Sequence, residues 1–99
     1  MSYLVAQGLQ PTHRWRNSLP PDAEVQVGRD CDPWSVSWDP HISRQHARLI
    51  CRGERVDVQL LPGARNPLFH RGRAVTSCTL RGGESFVIGS TTFTFEHSA

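Results

Sequence analysis

Apolar and polar residues alternate along most of the chain, and apolar residues nowhere recur at helical spacing over a useful length. Alternation with a period of two is typical of strands that bury one face. It is clearest at residues 47–52 and 56–60, on either side of Gly53-Glu54, which has the sequence of a two-residue hairpin turn beginning with glycine. The pattern therefore predicts an all-β chain.

The same alternation predicts further strands in the rest of the chain. In chain order they lie at residues 3–8, 13–19, 24–27, 35–38, 68–70 and 73–78, followed by a second hairpin around the turn at residues 89–90. Many short strands separated by turn residues at regular spacing are typical of a β-sandwich. We therefore predict a β-sandwich of two mainly antiparallel sheets with about 10 or 11 short strands.

The length of the chain sets the number of domains. Its 99 residues suffice for one hydrophobic core and not for two, so we predict a single domain over residues 1–99 with its core in about residues 3–96. The apolar runs are far shorter than the ~20 residues that cross a membrane, and the N-terminus lacks the pattern of a signal peptide. We expect a cytoplasmic protein without a membrane partner.

Cysteine and histidine residues show no spacing typical of a metal or redox site. Cys31, Cys51 and Cys78 are an odd number at wide intervals, without a C-x-x-C pair, and the five histidines do not cluster in the sequence. We predict reduced thiols, with no metal and no cofactor. Cys51 and Cys78 fall in strand-like segments, where a thiol packs as a small apolar group.

All eleven basic residues are arginine, and the net charge is only +2. Guanidinium groups bind carboxylate and phosphate through a planar fork, so this composition is consistent with anion recognition. On composition alone, codon usage that favours arginine is the better explanation. Arg29, Arg44 and Arg65 fall on predicted loops, which carry most binding sites. Other arginines fall on strands or distant turns, namely Arg48, Arg52, Arg55 and Arg81.

Three loops contain the candidate chemistry. Gly-Arg at residues 28–29 follows an apolar strand, Ser-Arg-Gln-His at residues 43–46 precedes another, and an Asn-containing loop spans residues 65–72. Ser43 and His46 lie three residues apart, and a serine nucleophile with a histidine base is the pair that many hydrolases use. No carboxylate or oxyanion-binding segment accompanies them, so we do not predict a hydrolase.

Taken together, these segments resemble the forkhead-associated (FHA) domain, a phosphothreonine-binding β-sandwich. The family pattern has Gly-Arg at the end of one strand, then Ser-Arg-x-His, then two Asn-Gly pairs. Residues 80–89 also resemble the closing segment of the family, with its leucine, glycine-containing turn and Ile-Gly. The resemblance covers about residues 3–96 and implies an FHA/SMAD-like sandwich.

The resemblance implies a role for each residue of the site. Arg29 and Ser43 bind the phosphate, Asn66 binds the main chain of the peptide, and Arg44 adds positive potential. Arg65 stands where the family often has Thr or Ser, and it either supplies another guanidinium or points to solvent.

The resemblance also implies structural roles and shows two departures. Gly28 keeps its loop clear of the ligand, His46 holds the loops in place beneath the site, and Gly72 shapes the third loop. Pro67 replaces the glycine of the first Asn-Gly pair, and Arg71 replaces the asparagine of the second. Proline fixes φ and removes one N–H donor, so we expect a changed loop shape.

The function implied is a non-enzymatic module that binds phosphothreonine on a partner protein or on a segment of its own full-length protein. The resemblance further implies the N-terminal module of a larger bacterial signalling protein. A phosphate-independent docking scaffold with the same fold is one alternative. Nucleic-acid binding is another, but nine acidic residues interspersed with the arginines argue against it. We expect Trp15, Trp34 and Trp38 to pack within the sandwich rather than to stack on bases.

Overall fold

The computed structural model describes residues 1–98 of the chain. This range contains ten strands and no helix. The strands are β1 (Ser2–Gln7), β2 (Arg14–Ser18), β3 (Glu24–Val27), β4 (Ala47–Arg52), β5 (Arg55–Leu60), β6 (Leu68–His70), β7 (Arg73–Val75), β8 (Ser77–Arg81), β9 (Ser85–Ile88) and β10 (Thr91–His97). They form a six-stranded sheet in the order β2-β1-β10-β9-β6-β7 and a four-stranded sheet in the order β3-β4-β5-β8. All strand pairs are antiparallel, so the predicted β-sandwich is confirmed. No helix long and apolar enough to cross a membrane occurs in this range.

Alternate residues of the facing strands form the core between the two sheets. The four-stranded sheet contributes buried aliphatic side chains, among them Val27, Leu49, Val56 and Leu80. The six-stranded sheet contributes aromatic ones, with the Phe86 and Phe93 rings stacked at 4.8 Å between centroids. Each fully buried side chain of this kind stabilises the fold by roughly 1.5–3 kcal/mol, which explains why the inward-facing positions of the strands are apolar.

Both predicted hairpins form at the predicted turns. Arg52 pairs with Arg55 across Gly53-Glu54, and Ile88 pairs with Thr91 across Gly89-Ser90. The first residue of each turn has a positive φ, 64° at Gly53 and 58° at Gly89. Only glycine adopts this conformation without a steric cost, so the two glycines fix the register of both hairpins.

The strand predicted at residues 35–38 is wrong. The segment makes only an isolated bridge between Ser35 and Gly28, and no ladder follows it. Val36 is fully buried, and the Trp38 indole donates to Thr91 Oγ1 at 3.1 Å. The alternation here therefore reflects a loop that packs onto the end of the sandwich rather than a paired strand.

The single strand predicted at residues 73–78 is in fact two. Residues 73–75 belong to β7 in the six-stranded sheet, and β8 begins at residue 77 in the four-stranded sheet. The chain passes from one sheet to the other at Thr76, whose carbonyl accepts the N–H of Leu60 at 2.8 Å. No glycine or proline marks this crossing in the sequence, so the alternation runs through it.

The tryptophans pack as predicted. Trp34 is buried in the core, and Trp15 and Trp38 are partly buried against it. The Trp15 indole donates to the carbonyl of Ser35 at 2.8 Å, which ties the β3–β4 loop to β2.

The antiparallel order brings the long connections to one end of the sandwich. The β3–β4 loop (residues 28–46), the β5–β6 loop (residues 61–67) and the β9–β10 turn (residues 89–90) all lie at this end. The β4–β5 and β6–β7 turns lie at the opposite end. The first two predicted site loops therefore meet the start of the third.

Candidate functional site

An open cavity of about 380 Å³ lies between the β3–β4 and β5–β6 loops. All five residues predicted to bind a ligand line it, namely Arg29, Ser43, Arg44, Arg65 and Asn66. Their places in the sequence span 38 positions, from 29 to 66 inclusive, and the fold brings them to one surface. The cavity is therefore the candidate site.

Gly28 allows the two ends of the β3–β4 loop to run side by side. The N–H of Arg29 donates to the carbonyl of Ser43 at 3.1 Å, and the N–H of Asp30 donates to the carbonyl of Arg44 at 3.2 Å. A Cβ atom at Gly28 would overlap the carbonyl oxygen of Arg44. The space that this glycine leaves is filled by the backbone of its own loop.

The Arg29 side chain is held at the cavity wall by one hydrogen bond. Its Nε donates to the carbonyl of Ile42 at 2.6 Å, although the residue as a whole is exposed. Within residues 1–98 its terminal N–H groups have no acceptor, so they are available to a bound anion.

His46 links the two loops from beneath the cavity. Its Nδ1 accepts the N–H of Ser43 at 2.9 Å, so the neutral ring has its proton on Nε2, which donates to the carbonyl of Asn66 at 2.8 Å. The side chain is fully buried, and this burial lowers its pKa. The Asn66 side chain adds a second link, because its Nδ2 donates to the carbonyl of His41 at 2.7 Å.

The Ser43 hydroxyl joins the walls of the cavity. Its oxygen accepts the N–H of Arg65 at 3.1 Å, which leaves the hydroxyl hydrogen free to donate to a ligand. The nearby ring of His46 contacts the backbone N–H of Ser43 and not its hydroxyl. The Ser43–His46 pair therefore lacks the hydrogen bond that joins a nucleophile to its base.

The cavity is electropositive because its arginines have no carboxylate partners. In residues 1–98, no carboxylate lies within 4.0 Å of the guanidinium nitrogens of Arg29, Arg44 or Arg65. The arginines that do form ion pairs lie elsewhere, namely Arg16, Arg48, Arg52, Arg55, Arg71 and Arg81. None of the described residues that line the cavity is acidic.

Asp39 supports the site and was not singled out from the sequence. Its carboxylate is buried and accepts the N–H of His41 at 3.0 Å, the N–H of Ser90 at 2.8 Å and the hydroxyl of Thr91 at 2.8 Å. These bonds tie the β3–β4 loop to the β9–β10 turn. An aspartate that captures the N–H two residues ahead is an Asx turn, so the local sequence contained a usable signal.

The cavity has four further lining residues that sequence reasoning missed, namely Pro40, His41, Ile42 and Gly63. Ile42 and His41 act through their carbonyls, which hold the side chains of Arg29 and Asn66. Every residue has a backbone carbonyl, so the residue type does not show which carbonyls act as acceptors.

Gly72 and Arg71 lie away from the cavity. They form the two-residue turn between β6 and β7, with φ values of 77° and 54°, at the opposite end of the sandwich. Arg71 makes an ion pair with Glu84 at 2.8 Å. The third predicted loop thus ends at Pro67, because β6 separates Gly72 from the site.

The three cysteines, Cys31, Cys51 and Cys78, are free thiols in the structure. Cys31 lies beside the site, where its Sγ donates to the carbonyl of Arg44 at 3.1 Å and burial raises the pKa of the thiol. Burial raises the pKa of Cys78 to about 11. Across residues 1–98, no three His, Cys, Asp or Glu side chains are grouped as metal ligands.

Comparison with known proteins bears on this site. A family model described as the FHA domain matches residues 25–89, which include all five predicted binding residues. No curated protein matches the sequence.

Three solved structures with similar folds extend the comparison. The FHA domain of the CT664 protein from Chlamydia trachomatis is 26% identical, with 98% of this chain and 99% of that chain covered and a TM-score of 0.81. The Slr1951 protein from Synechocystis is 17% identical, with 100% of both chains covered and a TM-score of 0.81. EmbR from Mycobacterium tuberculosis, solved with a low-affinity phosphopeptide, is 21% identical, with 98% of this chain and 25% of that chain covered and a TM-score of 0.72.

Proposed function

Because the chain belongs to the FHA domain family, we propose that it is a phosphopeptide-binding module that holds phosphothreonine in the cavity between the β3–β4 and β5–β6 loops. FHA domains are generally interaction modules without catalytic activity, and we extend that property to this chain. The observation that supports the proposal most is the meeting of three arginines without carboxylate partners and a serine hydroxyl donor in one cavity.

Arg29 is the main phosphate ligand in this proposal. Its Nε is occupied by the carbonyl of Ile42, so the terminal nitrogens bind the phosphate oxygens. Pairs of this charge-assisted kind are about twice as strong as hydrogen bonds between neutral groups. The anchored Nε also reduces the side-chain entropy lost on binding, because the guanidinium is already placed.

Ser43 and Asn66 complete the recognition of the peptide. The Ser43 hydroxyl donates its free hydrogen to a phosphate oxygen while it continues to accept the N–H of Arg65. The Asn66 amide uses one N–H on His41, and its Oδ1 accepts an N–H from the main chain of the peptide. The peptide is thereby fixed in register beside the phosphate.

A binding experiment tests the proposal. A degenerate phosphothreonine peptide library selects a sequence, and fluorescence anisotropy then compares that peptide with its unphosphorylated form. We expect micromolar binding of the phosphorylated peptide only. Arg29→Ala weakens it roughly 10- to 100-fold, because hydrogen bonds to charged groups contribute about 1.5–3 kcal/mol.

Arg73→Ala is the matched control, because Arg73 is exposed, lies in β7 and forms no ion pair within residues 1–98. It leaves the affinity unchanged. Equal binding of the two peptide forms would favour a phosphate-independent scaffold, and an unchanged affinity in Arg29→Ala would rule out the proposed role of this residue.

A further inference from the structure

The positive charge of the cavity exceeds what a single phosphate neutralises. Arg29, Arg44 and Arg65 line the cavity with three formal positive charges, and no acidic side chain lies among the lining residues. A phosphothreonine side chain supplies about −1.5 to −2 at neutral pH. At least one of the three cations is therefore left without a counter-charge when one phosphate is bound.

The three cations stand on two different loops. Arg29 and Arg44 belong to the β3–β4 loop, whereas Arg65 belongs to the β5–β6 loop. The N–H of Arg65 is fixed on the hydroxyl oxygen of Ser43 at 3.1 Å. Arg65 is also the immediate neighbour of Asn66, which binds the main chain of the peptide in the function proposed above. Arg65 thus lies beside the path of the peptide.

We propose that the preferred ligand is a phosphothreonine peptide with a second negative group, a phosphate or a carboxylate, near the phosphothreonine, and that Arg65 binds this second group. The inference rests on the proposed function and extends it to the chemical class of peptide. Arg65 is exposed, and within residues 1–98 it has no carboxylate partner that would hold it in another role. A guanidinium binds either acid through two parallel N–H donors.

The test uses a peptide series built on the sequence selected by the library. One peptide has a single phosphothreonine and otherwise neutral residues. The others place aspartate or phosphoserine at each of the three positions before and after it. We expect one position at which the second negative group strengthens binding about three- to ten-fold, as for a partly exposed ion pair of good geometry. Salt reduces this gain, because exposed charges are screened.

Variants assign the gain to Arg65. In Arg65→Gln the gain, taken as the ratio of the affinities of this variant for the two peptides, falls below two-fold. Arg65→Lys retains part of the gain because it keeps the charge and loses only the planar fork. Arg73→Gln removes the same charge from β7, at a distance from the cavity, and leaves the gain intact.

The outcomes separate the two proposals. If phosphopeptides bind through Arg29 but no second negative group strengthens binding, or if the gain survives in Arg65→Gln, the inference about Arg65 is wrong and the proposed function stands. If no phosphothreonine peptide binds, or if the phosphorylated and unphosphorylated forms bind equally, the proposed function fails and the inference fails with it.

Discussion

Replacing His46 by leucine removes one hydrogen bond within the β3–β4 loop, to Ser43, and one that joins this loop to the β5–β6 loop, to Asn66, but keeps an apolar side chain in a fully buried position. The N–H of Ser43 and the carbonyl of Asn66 then lose their partner. A buried polar group without a partner costs about 1–3 kcal/mol, and these two residues are half-buried, so we take about 1–2 kcal/mol for each. We expect His46→Leu to lower the free energy of unfolding by about 2–4 kcal/mol.

Urea and thermal unfolding, followed by tryptophan fluorescence and circular dichroism, measure this loss. For a domain of about 100 residues, 1 kcal/mol shifts Tm by about 4–8 °C, so we expect Tm to fall by about 10 °C or more. His97→Leu is the control, because His97 is exposed and makes one side-chain hydrogen bond, to Ser2. A loss below about 1 kcal/mol in His46→Leu would refute the reasoning that this ring holds the loops together.

Three further predictions follow from the same loops. Gly28→Ala places a Cβ against the carbonyl oxygen of Arg44, so we expect a loss of about 1–3 kcal/mol in urea unfolding and weaker phosphopeptide binding by anisotropy. Burial lowers the pKa of His46 in the folded state, so the unfolded state binds more protons below about pH 6.5. We therefore expect the free energy of unfolding to fall as the pH drops below this value. Urea unfolding between pH 7.5 and 5 measures this fall, which we expect to be smaller in His46→Leu. Asp39→Asn sets an amide N–H₂ against backbone donors such as the N–H of His41, and we expect it to lower stability by about 1–3 kcal/mol in thermal unfolding. A stable Asp39→Asn variant with unchanged peptide affinity would contradict the supporting role of this carboxylate.

The fold was largely predictable because its strands follow a local rule. Alternation locates the β4–β5 and β9–β10 hairpins, and glycine at the first turn position fixes their register. The rule fails where burial does not come from pairing. Val36 is buried although it lies in a loop, and at Thr76 the alternation continues while the chain passes from one sheet to the other. Neither event has a local signal, because both depend on the position of the opposite sheet.

The site was predictable to the extent that side-chain type reveals it. Arg29 and Ser43 belong to short motifs of an identifiable family, and the fold brings them to one cavity with Arg65. The contacts that hold them are less visible. The bond from Asn66 to the carbonyl of His41 spans 25 positions and uses a backbone acceptor, which every residue has. Such contacts are specified by the whole fold and not by a motif.

The central claim is that phosphothreonine binds among the loops at one end of the sandwich. The most direct test is a two-dimensional ¹H–¹⁵N NMR titration of the domain with a library-selected phosphothreonine peptide and with its unphosphorylated form. We predict that the amides of Arg29, Ser43, Arg65 and Asn66 shift on saturation with the phosphorylated peptide and stay in place with the other. Shifts confined to the opposite end, around the β4–β5 turn at residues 53–54, or identical shifts with both peptides, would contradict the claim.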